Sequence, residues 1–315
     1  MALPRPHAQA LLPMLGRRGV VDSPACTDSD RAVCCATSAR WHRSIMLDPL
    51  LFIELAGIGL ITGFLAGLLG IGGGMMLVPV ITFVLDARGV VPDLAVKMAI
   101  ATSMATIVFT SIASVRAHHR RGGVRWDLVA RLTPGIVLGA ALASAGVFRI
   151  LQGRWLALLF GAFIGFTALQ MLRARPVAPT RTLPGTAGLV GAGSVIGFAS
   201  GLVGAGGGFL SVPFMTWCNV AMHQAVATSA ALGFPIALAN VVGYIWAGAD
   251  VAGRPAGSLG YVYLPALVAV ASTSVLAAPL GVRAAHALPV PTLKRVFAVA
   301  LLWVAAAMIY RAWSG

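Results

Sequence analysis

Two glycine triplets, Gly72, Gly73 and Gly74 in one place and Gly206, Gly207 and Gly208 in another, stand inside apolar sequence. Three consecutive glycines disfavour continued helix, at roughly 1 kcal/mol each relative to alanine. Where the chain resumes as a short helix, its first N–H groups lack intrahelical partners and carry the positive end of the helix dipole. Glycines have no side chain to keep an anion away from those groups, so the pattern reads as an anion cradle. A second polar set lies downstream, where AIATS at 99–103 recurs as AVATS at 225–229. It places the hydroxyls of Thr102, Ser103, Thr228 and Ser229 near the start of a helix. Such hydroxyls either donate to an oxyanion or bond back to a carbonyl one turn earlier, and both readings stand. Asn240 lies eleven residues after Ser229 and Ser114 eleven after Ser103, as polar lining or as interhelical hydrogen-bonding groups.

The elements that must position these residues are duplicated. Residues 63–81 read GFLAGLLGIGGGMMLVPVI and residues 197–215 read GFASGLVGAGGGFLSVPFM, with ten of nineteen aligned positions identical. Gly59, Gly63 and Gly67, like Gly193, Gly197 and Gly201, follow the four-residue spacing of small residues that lets membrane helices approach closely. Those six are assigned to packing. The triplets are assigned to a site, with close packing as the competing reading. Duplicated helices broken by Gly and Pro at matching places point to the binding site of a secondary transporter.

Hydrophobic residues make up 58% of the chain and charged residues 10%, against about a quarter charged in soluble domains. Apolar stretches long enough to cross a bilayer recur from residue 50 onward, and their composition is that of helices rather than of alternating strands. The expected fold is therefore all-α, a polytopic transmembrane bundle. The net charge of +14 is read as arginine holding the topology, with no nucleic acid as partner. Four cysteines without CxxC spacing imply neither a zinc site nor a disulfide framework.

Residues 1–45 carry four prolines and six arginines without sustained periodicity and fail as a signal peptide. They read as a disordered extension or as sequence upstream of a start at Met46. Residues 46–176 and 177–315 then form two transmembrane repeats. In the first, helices are expected over 50–69, 75–85, 98–115, 128–148 and 156–172, and in the second over 187–203, 209–220, 225–247, 261–280 and 293–310. Counting each broken pair as one crossing gives four spans per half and eight in all. A separate crossing for each short segment gives two inverted five-span halves instead. Eight basic residues against four in the first half favour the eight-span count with both termini in the cytoplasm.

No carboxylate falls mid-span, so the usual proton or sodium relay group is missing. Lys97 reads as an interfacial lysine or a group that meets an anion, and His118 and His119 as part of a solvated basic loop. FASG around Ser200 lacks the first glycine of an intramembrane protease GxSG, and GLLGIGGG lacks the Lys-Ser/Thr of a phosphate-binding loop. No catalytic residue, metal site or cofactor is expected.

The doubled G-x-G-G-G…V-P phrases, AIATS followed by a histidine-containing basic loop and Trp126–Asp127, and AVATS closely resemble the TauE/SafE family of sulfite/organosulfonate exporters. The resemblance covers roughly residues 47–310. It implies an inner-membrane protein of bacteria with about eight spans, duplicated from four, that moves sulfur oxyanions or sulfonates. By motif match, the triplets with Pro79 and Pro213, and Thr102, Ser103, Thr228 and Ser229, carry over as site residues. A non-transporting scaffold or intramembrane enzyme is the alternative. The exact anion, the direction of transport, the coupling ion and any homo-oligomer are left open.

Overall fold

The structure, a computed structural model, describes residues 49–69, 74–173, 182–287 and 290–314. Residues 1–45 and the triplet glycines Gly72 and Gly73 lie outside the described residues. Met46–Gly315 forms one compact unit.

Among the described residues ten helices follow in order: α1 Pro49–Leu69, α2 Gly74–Ala87, α3 Pro92–His119, α4 Trp126–Ile150, α5 Gly153–Arg173, α6 Thr186–Val203, α7 Gly208–Trp217, α8 Met222–Ala247, α9 Leu264–Ala287 and α10 Val290–Ser314. A π-helical stretch, Leu142–Val147, interrupts α4. A two-residue antiparallel ladder, Ser258–Leu259 on Val262–Tyr263, precedes α9. Among the described residues, six helices are long and apolar enough to cross a membrane: α3, α4, α5, α6, α8 and α9. α2 and α7, with 14 and 10 residues, span only about 21 and 15 Å at 1.5 Å per residue.

Glycine seams fix the directions of the helices. Gly59, Gly63 and Gly67 of α1 lie in turn against Val270, Ser274 and Ala278 of α9, so these two helices run parallel. The contact is backbone to backbone: a Cβ on Gly63 would sit 2.5 Å from the Ser274 carbonyl oxygen, and Ser274 Oγ donates to Gly59 O at 2.7 Å. In the same way Gly193 and Gly197 of α6 lie against Leu132 and Ile136 of α4, again parallel. Side chains this small allow the close approach that holds helices together where lipid removes the hydrophobic drive. By contrast α3 and α8 are antiparallel, with Ser111 beside Gly233 and Gly123 beside Ala227. They are the most buried of the six long helices and form the centre of the bundle.

These contacts define two ends. At the Asp93 end lie the start of α3, the start of α5, where Gly153 N donates to Asp93, and the end of α10, where Arg311 pairs with Asp86. The Arg125 end holds the connection from α3 to α4 and the start of α8. α1 starts at the Asp93 end because it parallels α9, and α2 returns there to meet α3. α6 and α7 make the same excursion from the Arg125 end. Each broken pair thus turns back, whereas the sequence count treated it as a single crossing. Hydropathy adds the two apolar lengths and is blind to a reversal, which the glycines between them permit.

Candidate substrate site at the helix breaks

The second break is described in full. Gly204 closes α6 in the left-handed region (φ 72°), its N–H bonding to Ser200 O, and Gly207 opens α7 in the same region (φ 75°). Two left-handed residues three positions apart are what glycine supplies at little steric cost. Gly207 O accepts from the N–H groups of Leu210 and Ser211 at 3.1 and 2.9 Å. Among the described residues, no acceptor receives the N–H of Gly208 or Phe209. Residues 203–209 are all buried. A buried helix start with unmet donors is an anion site in waiting, because its N–H groups must otherwise stay unsatisfied.

The two breaks meet. A Cβ on Gly74, the first residue of α2, would lie 2.6 Å from the Gly204 carbonyl oxygen and 2.7 Å from Ile107 Cδ1. Ser103 Oγ stands at the same place, 3.2 Å from Gly204 O and 3.0 Å from Ile100 O, with one proton to share between them. Ser211 Oγ donates to Ser229 Oγ at 2.9 Å, both side chains fully buried. Ser211 is a residue that the repeat comparison passes over, because its counterpart in the first half is Leu77. Gly206 O faces Gly233 on α8. The structure thus brings Gly74 and Ser103 to the carbonyl of Gly204, sets Gly206 against Gly233 of α8, and joins Ser211 to Ser229 on the α8 side.

The other candidates are engaged elsewhere. Thr102 Oγ1 donates to Met98 O at 2.7 Å and accepts from Tyr263 N at 2.9 Å, just ahead of α9. Thr228 Oγ1 accepts from Arg125 N at 3.0 Å, just ahead of α4. Asn240 Nδ2 donates to Ile236 O at 2.8 Å, and its Oδ1 packs against Gly201, one turn before the break, without a partner among the described residues.

Charge is scarce here. Lys97 and His118 are the buried basic residues among those described, and Lys97 faces Asp93 at 3.7 Å, toward the Asp93 end. Among the described residues no group of His, Cys, Asp and Glu could hold a metal ion. Among the described residues no carboxylate is buried, and the groups at the break are backbone dipoles and hydroxyls. This arrangement suits reversible binding of an anion, and it presents no activated nucleophile.

The family model described as "Sulfite exporter TauE/SafE" matches residues 55–308. A probable membrane transporter protein of Haemophilus influenzae is 36% identical over 256 residues, covering 81% of this chain and 96% of that one. One of Methanocaldococcus jannaschii is 28% identical over 246 residues, covering 76% and 86%. No solved structure gives a significant match. The reach of the family match and the 36% identity to the Haemophilus transporter protein lead to one conclusion: this chain belongs to the sulfite exporter TauE/SafE family and is a membrane transporter rather than an enzyme.

Proposed function

We propose that the chain is a secondary transporter exporting a small anion, sulfite or an organosulfonate, across the bacterial inner membrane. The observation that carries this reading is the buried start of α7, whose Gly208 and Phe209 N–H groups have no acceptor among the described residues. Half-helix N-termini of this kind meet anionic substrate groups in transporters built from inverted repeats. In this reading residues 46–176 and 177–315 are duplicated halves of inverted orientation. Each half has three full spans and one hairpin, α1–α2 or α6–α7, dipping in from an opposite end. The parallel pairing of α1 with α9 and of α6 with α4 supports this, since each hairpin makes the same contact with the other half. The site residues are Gly74, Ser103, the Gly206–Gly208 triplet and Ser229, with Thr102 and Thr228 fixing the helices around them. Gly72 and Gly73 are assigned the same role by repetition.

Orientation follows from charge. With these helix directions, and among the described residues, Arg116, Arg120, Arg121, Arg125, Arg131, Arg173, Arg283, Lys294 and Arg295 fall toward the Arg125 end. Arg88, Lys97, Arg149, Arg154, Arg254 and Arg311 fall toward the Asp93 end. Nine against six supports a cytoplasmic Arg125 end. Pro49 and Ser314 then lie at the periplasmic face, the reverse of the cytoplasmic termini expected from the first half alone.

Flux of sulfite, sulfate, thiosulfate, sulfoacetate and taurine into proteoliposomes tests the reading. Saturable movement of one or more of the anions is the expected result. Absence of flux for all of them in folded, inserted protein overturns it.

A further inference from the structure

The C-terminal half of α3 is polar on the inside and apolar on the outside. Its buried residues beyond the break are Thr110, Ser111, Ser114 and His118, between 3% and 7% exposed. They repeat at helical spacing on one face, over about 12 Å of rise. The outward positions Phe109 and Ile112 are exposed and apolar, as lipid demands. Thr110 and Ser111 bond back to their own helix, at Thr106 O and Val108 O. Ser114 Oγ has no partner among the described residues although the residue is only 4% exposed. An unmet buried hydroxyl destabilises the fold unless water reaches it. Opposite this stretch, the α8 residues in contact are small: Gly233 lies beside Ser111 and Ala227 beside Gly123, both buried. The face runs from Ile107, beside Gly74, to the basic loop at the Arg125 end.

The equivalent positions on α8, 126 residues later, are Ile236, Ala237, Asn240 and Tyr244, all 0% exposed. There the Tyr244 ring lies 4.5 Å from that of Phe148, and its hydroxyl donates to Gly201 O. Asn240 Oδ1, at the place of Ser114, also has no partner among the described residues, but Tyr244, at the place of His118, fills the end of this face with a fully buried aromatic side chain.

We propose that the Thr110–Ser111–Ser114–His118 face of α3 lines a hydrated route joining the helix breaks to the Arg125 end, and that Tyr244 closes the matching route toward the Asp93 end. The inference rests on the transporter reading but is tested apart from it. Cysteines are placed singly in the full chain as Ser111→Cys, Ser114→Cys and Ile112→Cys. Arg121→Cys marks the Arg125 face and Val91→Cys the Asp93 face. Sealed membrane vesicles of both orientations are exposed to a membrane-impermeant sulfonated maleimide, and each cysteine is read by mass spectrometry. A thiol forms its reactive thiolate where water reaches it, so Ser114→Cys and Ser111→Cys should react at least about tenfold faster than Ile112→Cys. They should do so from the face that labels Arg121→Cys. Reaction no faster than Ile112→Cys, or from the Val91→Cys face, overturns the route. Flux without this labelling leaves the transporter standing and removes the route, and labelling without flux does the reverse.

Discussion

Thr102 Oγ1 accepts the backbone N–H of Tyr263 at 2.9 Å, across 161 residues of sequence, and so pins the start of α9 to the centre of the bundle. Thr228 does the same for the start of α4 through the N–H of Arg125, at 3.0 Å. The repeated threonines therefore tie each half to the other at the same point. A helix start leaves N–H groups unmet, and in lipid a side-chain oxygen is a ready way to satisfy one. Neighbours on a helix point about 100° apart at 3.6 residues per turn, so Thr102 reaches outward to α9 while Ser103 reaches the break.

Thr102→Val keeps the shape but removes the acceptor, leaving Tyr263 N–H buried and unmet. The expected cost is about 1–3 kcal/mol of stability, seen as a lower melting temperature in detergent, while Thr102→Ser stays near the parent. Flux per folded molecule should change little. Full folding with lost flux would return Thr102 to the ligand.

Gly207→Ala separates a site glycine from a packing glycine. Its φ of 75° opposes a side chain, and the new Cβ would press on Ile236 Cδ1, the movable tip of a side chain. The expected cost is about 1–2 kcal/mol, with inserted protein retained and transport lost through a shifted α7 start. Gly63→Ala sets its Cβ against the backbone of Ser274, which cannot yield, and should lose folded protein. Gly146→Ala, with nothing within 4 Å, should be silent. Equal loss of folded protein for Gly207→Ala and Gly63→Ala would reduce the second triplet to packing.

The helices and glycine seams are legible in the sequence because composition, apolar length and four-residue spacing are local properties. Gly59, Gly63 and Gly67 announce a close helix contact, yet nothing local says that the partner is α9, more than 190 residues away. The turn-back of α1–α2 is hidden for a similar reason. A glycine break permits either continuation or reversal, and the choice depends on what Gly74 meets, the carbonyl of Gly204 and the side chain of Ile107. Ser103 and Thr102 look alike in AIATS, and only the folded register gives one to the break and the other to α9.

A reporter fused after Ser314 should read periplasmic, and one inserted after His119 cytoplasmic. The expectation rests on two links: Arg311 pairs with Asp86 at the Asp93 end, and the arginine excess lies at the opposite end. Paired alkaline phosphatase and fluorescent protein fusions decide it. A cytoplasmic signal from both positions would restore the eight-span count, with each broken pair crossing once.

The substrate site should select by charge sign more than by shape. Each half-helix start contributes roughly +0.5 elementary charge, and Ser103 brings a hydroxyl to the Gly204 end of the second break. No carboxylate among the described residues is buried, so no full negative charge there attracts a cation. The buried Lys97 is turned to Asp93, so no full positive charge holds the anion at the break. Partial charges without a fixed ion favour binding that is firm enough to select and weak enough to release. Sulfite uptake into proteoliposomes should therefore be inhibited by unlabelled sulfonates and left unchanged by sodium or potassium as competing ligands, or by neutral sugars. The substitution Ser103→Ala should raise the apparent KM by roughly tenfold or more, the factor expected for one lost hydrogen bond to a charged group, about 1.5–3 kcal/mol. Cation transport unaffected by any anion would show that the helix starts serve packing alone.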